Sequence, residues 1–119
     1  VVDDDEAVAR MVARVLRRYD VTTALSAEEA LARIRSAEAF DLVVSDLQMP
    51  KQDGLALRDA IAALDAPLSK RMVFLTGALT DEAQRRVSDL GLRVFAKPLD
   101  LTAFLAFCRE QLPEAEPKP

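Results

Sequence analysis

Five side chains in this sequence stand where short apolar runs stop. Asp3 and Asp4 follow Val1-Val2, Asp46 follows Asp41-Leu42-Val43-Val44-Ser45, Thr76 follows Met72-Val73-Phe74-Leu75, and Lys97 follows Val94-Phe95-Ala96. Such runs, separated by helical segments, read as parallel strands of an open α/β sheet, which binds ligands outside the carboxyl ends of its strands. The five residues would then meet in one place. Asp3, Asp4 and Asp46 would form a carboxylate cluster in which each pair, about 5 Å apart at an effective dielectric of about 20, repels by roughly 3 kcal/mol. The cluster therefore calls for a cation. Mg²⁺ is the natural candidate, since it takes oxygen ligands, is satisfied by a few carboxylates and keeps waters that phosphate oxygens can replace. Lys97 supplies a second positive charge. A carboxylate beside such a cation and an ammonium is a nucleophile toward a phosphoryl group, giving an aspartyl phosphate. Mg²⁺, Lys97, and the Thr76 hydroxyl with nearby backbone N–H groups would each neutralise one oxygen of the transferred group. Gly77 lets the backbone approach without a Cβ.

The elements that must position these groups follow from periodicity. Val8, Met11, Val12, Val15, Leu16 and Tyr19 have the spacing of one helical face, after an acidic first turn that suits a helix N-terminus. Val21 to Leu25 is a short β-branched run, and Ser26 with Glu29 reads as a capping box opening a second helix with Ala30, Leu31 and Ile34 inward. After the Asp41–Ser45 strand, Met49-Pro50-Lys51-Gln52-Asp53-Gly54 reads as a loop, and a third helix carries Leu55, Ile61 and Leu64 until Pro67 breaks the pattern. The Arg71–Leu75 strand leads through Thr76-Gly77 to a helix capped by Thr80, with Ala83, Val87 and Leu90 inward and Gly91 as its stop. The Leu92–Ala96 strand precedes a last helix from about Asp100, with Leu101, Phe104, Leu105, Cys108 and Leu112 on one face. The order is (βα)5, a doubly wound five-stranded parallel sheet.

At 119 residues the chain fits one domain, residues 1–112, with 113–119 having the composition of a linker or tail. A start inside a strand and without methionine suggests a piece of something longer, with a neighbour in the parent protein. The net charge of −4 argues against nucleic acid as a direct partner. The basic pairs Arg17-Arg18, Lys70-Arg71 and Arg85-Arg86 are assigned to solvated faces. No apolar stretch is long enough to span a membrane, so a soluble cytoplasmic domain is expected. The absence of histidine excludes every His-based triad and general base, and a single Cys108 on an apolar stripe excludes internal disulfides and reads as a small buried hydrophobe. Phe107 falls off the inward stripe of the last helix; its plain reading is a partly exposed apolar residue, and its functional reading, with neighbouring residues of the last two helices, is a partner or dimer face.

The segments VVDDD, DLVVSDLQMPKQDGL, VFLTG and VFAKP resemble the signature segments of bacterial two-component response-regulator receiver domains, through essentially the whole chain. The resemblance implies a flavodoxin-like receiver fold with Asp46 as phosphoacceptor. It implies Asp3, Asp4 and Asp46 as Mg²⁺ ligands, directly or through water, joined by the Gln48 backbone carbonyl. Thr76 becomes the switch hydroxyl, Lys97 the phosphate-binding lysine, and the Lys97-Pro98 bond cis, which Xaa-Pro energetics permit. The donor would be a phosphohistidine on a sensor histidine kinase or histidine phosphotransfer domain. Without a histidine of its own the chain can only receive. Its chemistry would be self-catalysed phosphotransfer and autodephosphorylation rather than that of an enzyme. The family often has Tyr or Phe three residues before the lysine; here Val94 stands there, and Phe95, one place later, should point to the opposite face. Receivers fused to the C-terminal side of hybrid sensor kinases often relax this position, which favours such a parent and leaves room for a fused kinase or output domain and a dimer through the last helices.

Taken singly, Asp3-Asp4-Asp5-Glu6 is an acidic helix start, Asp46 a turn residue and Lys97-Pro98 a loop; their joint placement at strand ends is what carries the phosphoacceptor reading. The main alternative is a phosphorylation-independent docking module, favoured only by Val94. A flavodoxin-like nucleotide or flavin binder would want a Gly-rich or Ser/Thr-rich phosphate loop where this chain has three aspartates. An aspartyl-nucleophile phosphatase would usually show a second Asp where Gln48 stands.

Overall fold

A computed structural model of the chain describes residues 1–36, 39–49 and 51–112. Three parallel strands, β1 (Val43–Asp46), β2 (Met72–Thr76) and β3 (Arg93–Ala96), lie in the order β1-β2-β3. Val43 is in register with Met72, and Val73 with Arg93. Val2 continues the sheet beyond β1 through a parallel bridge to Ser45, and is bridged in turn to Ala24. The sheet thus runs from Ala24 through Val2, β1 and β2 to β3. The expected strands at Val1-Val2 and Val21–Leu25 are therefore present as single bridges rather than as ladders. The reason is local: Asp5 and Ser26 cap helices just beyond Val2 and Ala24, so both extended segments turn away after one exchange of hydrogen bonds.

Every strand residue in β1 and β2 is buried, the expected signature of a sheet covered on both faces. Alternation sorts them. Val43, Met72 and Phe74, with Val94 packed against them, form one core with α2 (Ala27–Arg35), α3 (Gly54–Leu64), the single-turn α4 (Ala66–Ser69) and α5 (Asp81–Asp89). Val44, Val73, Leu75 and Phe95 form the other with α1 (Glu6–Val15) and α6 (Leu101–Gln111). This is the doubly wound α/β arrangement expected from the sequence, and Val94 and Phe95 do face opposite sides.

Caps fix the helix starts. Side chains of Asp5, Ser26, Asp53, Asp65, Thr80 and Asp100 accept backbone N–H bonds from the first turns of the six helices. Glu29 completes its box by accepting from the Leu25 N–H, one residue earlier than the reciprocal bond usually falls. Gly91 ends α5 at φ 71°, where a Cβ is disfavoured.

Several inward assignments are corrected. Met11, Leu64, Leu90 and Leu101 are exposed. Met11 lies beside, not on, the stripe of Val12 and Leu16. Leu64 is the last residue of α3, Leu90 is a C-cap outside α5, and Leu57, fully buried, takes the core place beside Ile61. Pro67 does not simply break the chain but sits in the first turn of α4, where its missing N–H costs nothing. Phe107 is half-buried, in keeping with a partly exposed residue off the stripe: its ring packs edgewise on Phe95 at 5.7 Å, and the Arg93 guanidinium lies over both rings. Pro50 and residues 113–119, assigned to a loop and a tail, lie outside the described residues.

Gly54 opens α3 against the end of β1: a Cβ there would stand 2.6 Å from the Asp46 carbonyl oxygen and 3.0 Å from Leu47 Cα. Backbone atoms cannot rotate aside. Gly54→Ala should lower the unfolding free energy in urea titrations by about 1–3 kcal/mol. Gly77→Ala, whose Cβ meets nothing within 4 Å, should change it far less.

Candidate phosphate and metal site

The carboxyl ends of the strands and the segments that leave them build the site. Asp46 is the last residue of β1; its N–H donates to the Val2 carbonyl at 2.8 Å, and the Ser45 hydroxyl donates to its carbonyl at 2.9 Å. Its backbone is thereby held on both sides. Asp3 follows the bridging Val2, donates its N–H to the Ala24 carbonyl, and accepts the Asp5 N–H on Oδ1 at 2.9 Å. Asp5 thus orients Asp3 with its backbone while capping α1 with its side chain, a double use that sequence inspection missed although an Asp before an amphipathic run is its signal. Lys97 leaves β3 with its N–H on the Thr76 carbonyl at 2.8 Å, ahead of a cis bond to Pro98, as expected.

Asp3 and Asp46 are 2% and 6% exposed, although both carry carboxylates. Lys97 Nζ reaches between them, 3.1 Å from Asp3 Oδ2 and 3.6 Å from Asp46 Oδ1. Asp4 is exposed, yet carboxylate oxygens of Asp3, Asp4 and Asp46 all lie within 4.8 Å of one another. One ammonium against three carboxylates leaves the cluster short of positive charge. Burial, then the charge of Asp3, push the Asp46 carboxyl above its ordinary pKa, against the pull of Lys97 and the Gln48 N–H. For Lys97, burial works against the ammonium, but its hydrogen bond to Asp3 and the charges of Asp3 and Asp46 outweigh burial and raise its pKa. Lys97 is therefore a fixed cation at neutral pH.

Gln48 enters through its backbone N–H, which donates to Asp46 Oδ1 at 3.4 Å. Thr76, fully buried, ends β2 in register with Ala96, beside Lys97. Its hydroxyl accepts the Ala78 N–H at 3.2 Å. Among the described residues no hydrogen bond joins it to the Asp46 or Lys97 side chains. The site thus brings Asp3, Asp4, Asp46 and Lys97 into one charged cluster, with Thr76 and Gln48 at its margin. Cys108 lies apart in the α1–α6 core, its thiol pushed up to about 11 by burial.

A parallel doubly wound sheet with acidic residues and a lysine at its strand ends is the outline of a phosphoacceptor signalling module. Comparison with known proteins names the family: the profile of the response regulator receiver domain matches residues 1–109. The chain belongs to that family, whose place is in two-component signalling. It is 32% identical over 118 residues to the regulatory protein VirG of Rhizobium rhizogenes, covering 96% of this chain and 47% of that protein. It is 33% identical over 102 residues to the transcriptional regulatory protein ZraR of Salmonella typhimurium, covering 84% of this chain and 23% of that one. The chain thus spans about half or less of these curated relatives. Among solved structures, a response regulator receiver protein from Pseudomonas putida superposes with a TM-score of 0.82 at 29% identity, covering 92% of each chain. The Vibrio cholerae chemotaxis protein CheY4 does so with a TM-score of 0.82 at 26% identity, over 93% of this chain and 94% of that one.

The raised Asp46 pKa has a stability consequence. A group that binds its proton more tightly when folded costs stability while charged, and the cost fades as pH falls through its folded pKa. In chelator at neutral pH, Asp46→Asn should therefore stabilise the domain by on the order of 1 kcal/mol, by relief of the cost of burying the charge and then of the repulsion from Asp3. The gain should shrink toward acid pH in urea titrations. A pH-independent difference, or a loss at neutral pH, would contradict this.

Proposed function

We propose that residues 1–112 form a receiver domain in which Asp46 accepts a phosphoryl group from a phosphohistidine on a histidine kinase or histidine phosphotransfer domain. The observation that carries this reading is the buried Asp46 carboxylate, at the sheet's carboxyl edge, in a cluster with two further aspartates and one ammonium. In the transfer the donor's N–P bond breaks as an Asp46 Oδ–P bond forms, and the histidine keeps the electron pair. The shortage of positive charge fits a hard divalent cation: Asp3, Asp4 and Asp46, with the Gln48 carbonyl, would hold Mg²⁺, which when bound neutralises the carboxylates and one phosphoryl oxygen. Lys97 takes a second oxygen and fixes the approach to Asp46. The Thr76 hydroxyl, which accepts the Ala78 N–H, keeps its own O–H to donate to a third.

The domain's own chemistry is then to accept one phosphoryl group and to lose it to water, while turnover belongs to the donor. Its place is the cytoplasm, a reading supported by the family and by a free, buried cysteine in a chain whose described helices include none able to cross a membrane. A fused kinase or output domain, including a hybrid-kinase parent, is consistent with relatives that extend well beyond the matched region. For a dimer through the last helices, the half-buried Phe107 offers less apolar surface than a free ring would.

One observation favours the second reading, a docking module independent of phosphate: Val94 packs on the α5 side where relatives often carry an aromatic switch. Acetyl phosphate with Mg²⁺ decides between them. Intact mass should show a single phosphoryl adduct that disappears in Asp46→Asn and in chelator, and Lys97→Ala should slow its formation about a hundredfold. No adduct and no beryllofluoride binding would leave the docking module as the better account.

A further inference from the structure

Away from the phosphate site, the end of α1, the turn that follows it and one side of α6 enclose a half-open groove of about 570 Å³. Arg14, Arg17, Arg18 and Arg109 line it, all exposed. Among the described residues none of the four has an acidic partner, whereas Arg10, Arg58, Arg71 and Lys97 each do. Asp20 and Glu110 lie within two residues of these arginines in sequence but line no part of the groove. Four unpaired cations around one depression, on a chain of net charge −4, repel one another and hold a local positive field. The floor is different: Val15, the Tyr19 ring and Leu105 are half-buried, and Leu101 is 43% exposed. Phosphate backbones have no use for that apolar floor, and a half-open groove cannot envelop a small ligand.

We propose that this groove docks an acidic amphipathic helix of a partner protein. Apolar side chains at i, i+3, i+4 and i+7 would cover Leu101, Leu105, Val15 and Tyr19, and flanking carboxylates would pair with the four arginines. The arginines Arg17 and Arg18, assigned from sequence to a solvated face, thereby form part of a recognition rim. None of Asp3, Asp46, Thr76 and Lys97 lines the groove, so the interaction stands apart from phosphoryl chemistry.

The probe is a helical peptide of about four turns, with Leu at that spacing and Glu elsewhere. Fluorescence anisotropy should show saturable binding, with amide shifts confined to 14–19 and 101–109. Arg17→Glu and Arg109→Glu, singly and together, should weaken it, the pair at least about tenfold, as should raising salt from about 0.05 to 0.3 M. Arg85→Glu on α5 should leave it unchanged. Circular dichroism checks that these surface variants fold. Equal affinity for a scrambled peptide, for polyglutamate or for single-stranded DNA would overturn the proposal. So would undiminished binding by the double variant, absence of binding, or sedimentation showing that the groove pairs two copies of this chain.

Discussion

Two buried carboxylates held against one ammonium set the terms for this structure. Asp3 and Asp46 are nearly inaccessible, and among the described residues the cation within reach of both is Lys97, from the far end of the sequence. Such a cluster is costly unless its geometry is imposed by the surroundings. Here the backbone imposes it. Asp46 is hydrogen-bonded to Val2, its carbonyl lies under Gly54, Asp3 is tied to Ala24 and Asp5, and Lys97 hangs from Thr76. The sheet, the α3 start and the α1 cap all serve as supports for charges that would otherwise separate or protonate.

The same sheet divides the interior in two, and the division passes through the site. Each strand sends alternate residues to the α2, α3 and α5 side and to the α1 and α6 side. On β3 the outcome is Val94 toward α5 and Phe95 toward α6, where Phe95 meets Phe104 and Phe107 edgewise at 5.6 and 5.7 Å. The aromatic mass next to Lys97 therefore lies on the α6 side. Arg93 lies over the rings of Phe95 and Phe107, while the side toward α5 carries Val94 alone from this strand.

Sequence reading reached the layered sheet and the charged cluster because both rest on strong local signals. Apolar runs interrupted by acidic or basic residues give strand ends, and a (βα) alternation gives their convergence. It placed Asp3, Asp46 and Lys97 together correctly. What it missed depends on geometry that spacing does not carry. Met11 and Leu64 are apolar and near the right phase, yet sit at the margin or the end of their helices and reach water. Phe107 is off the stripe but captured by Phe95, a partner on another element. Asp53-Gly54 reads as a turn, but Asp53 is an N-cap and Gly54 the residue that lets α3 close on Asp46. The Thr76 hydroxyl was expected at the phosphoryl group, and its bond from Ala78 is visible only in three dimensions.

That last bond bears on how a phosphoryl group on Asp46 would be felt elsewhere. A neutral hydrogen bond such as Ala78 N–H to Thr76 is worth about 1 kcal/mol net, while a hydroxyl bond to a phosphoryl oxygen is charge-assisted and roughly twice as strong. Because the Thr76 hydroxyl accepts from Ala78 on a lone pair and would donate through its own proton, the two bonds do not compete, and the second adds to the first. The hydroxyl would then link a phosphoryl group on Asp46 directly to the Ala78 backbone. Ala78 lies in the exposed segment between β2 and α5. Gly77, with open space around its α-carbon, lets that segment move without a steric penalty. The energetic work of signalling would then fall to the negative charge a phosphoryl group adds at Asp46, with Thr76 relaying the change to the segment that leads into α5.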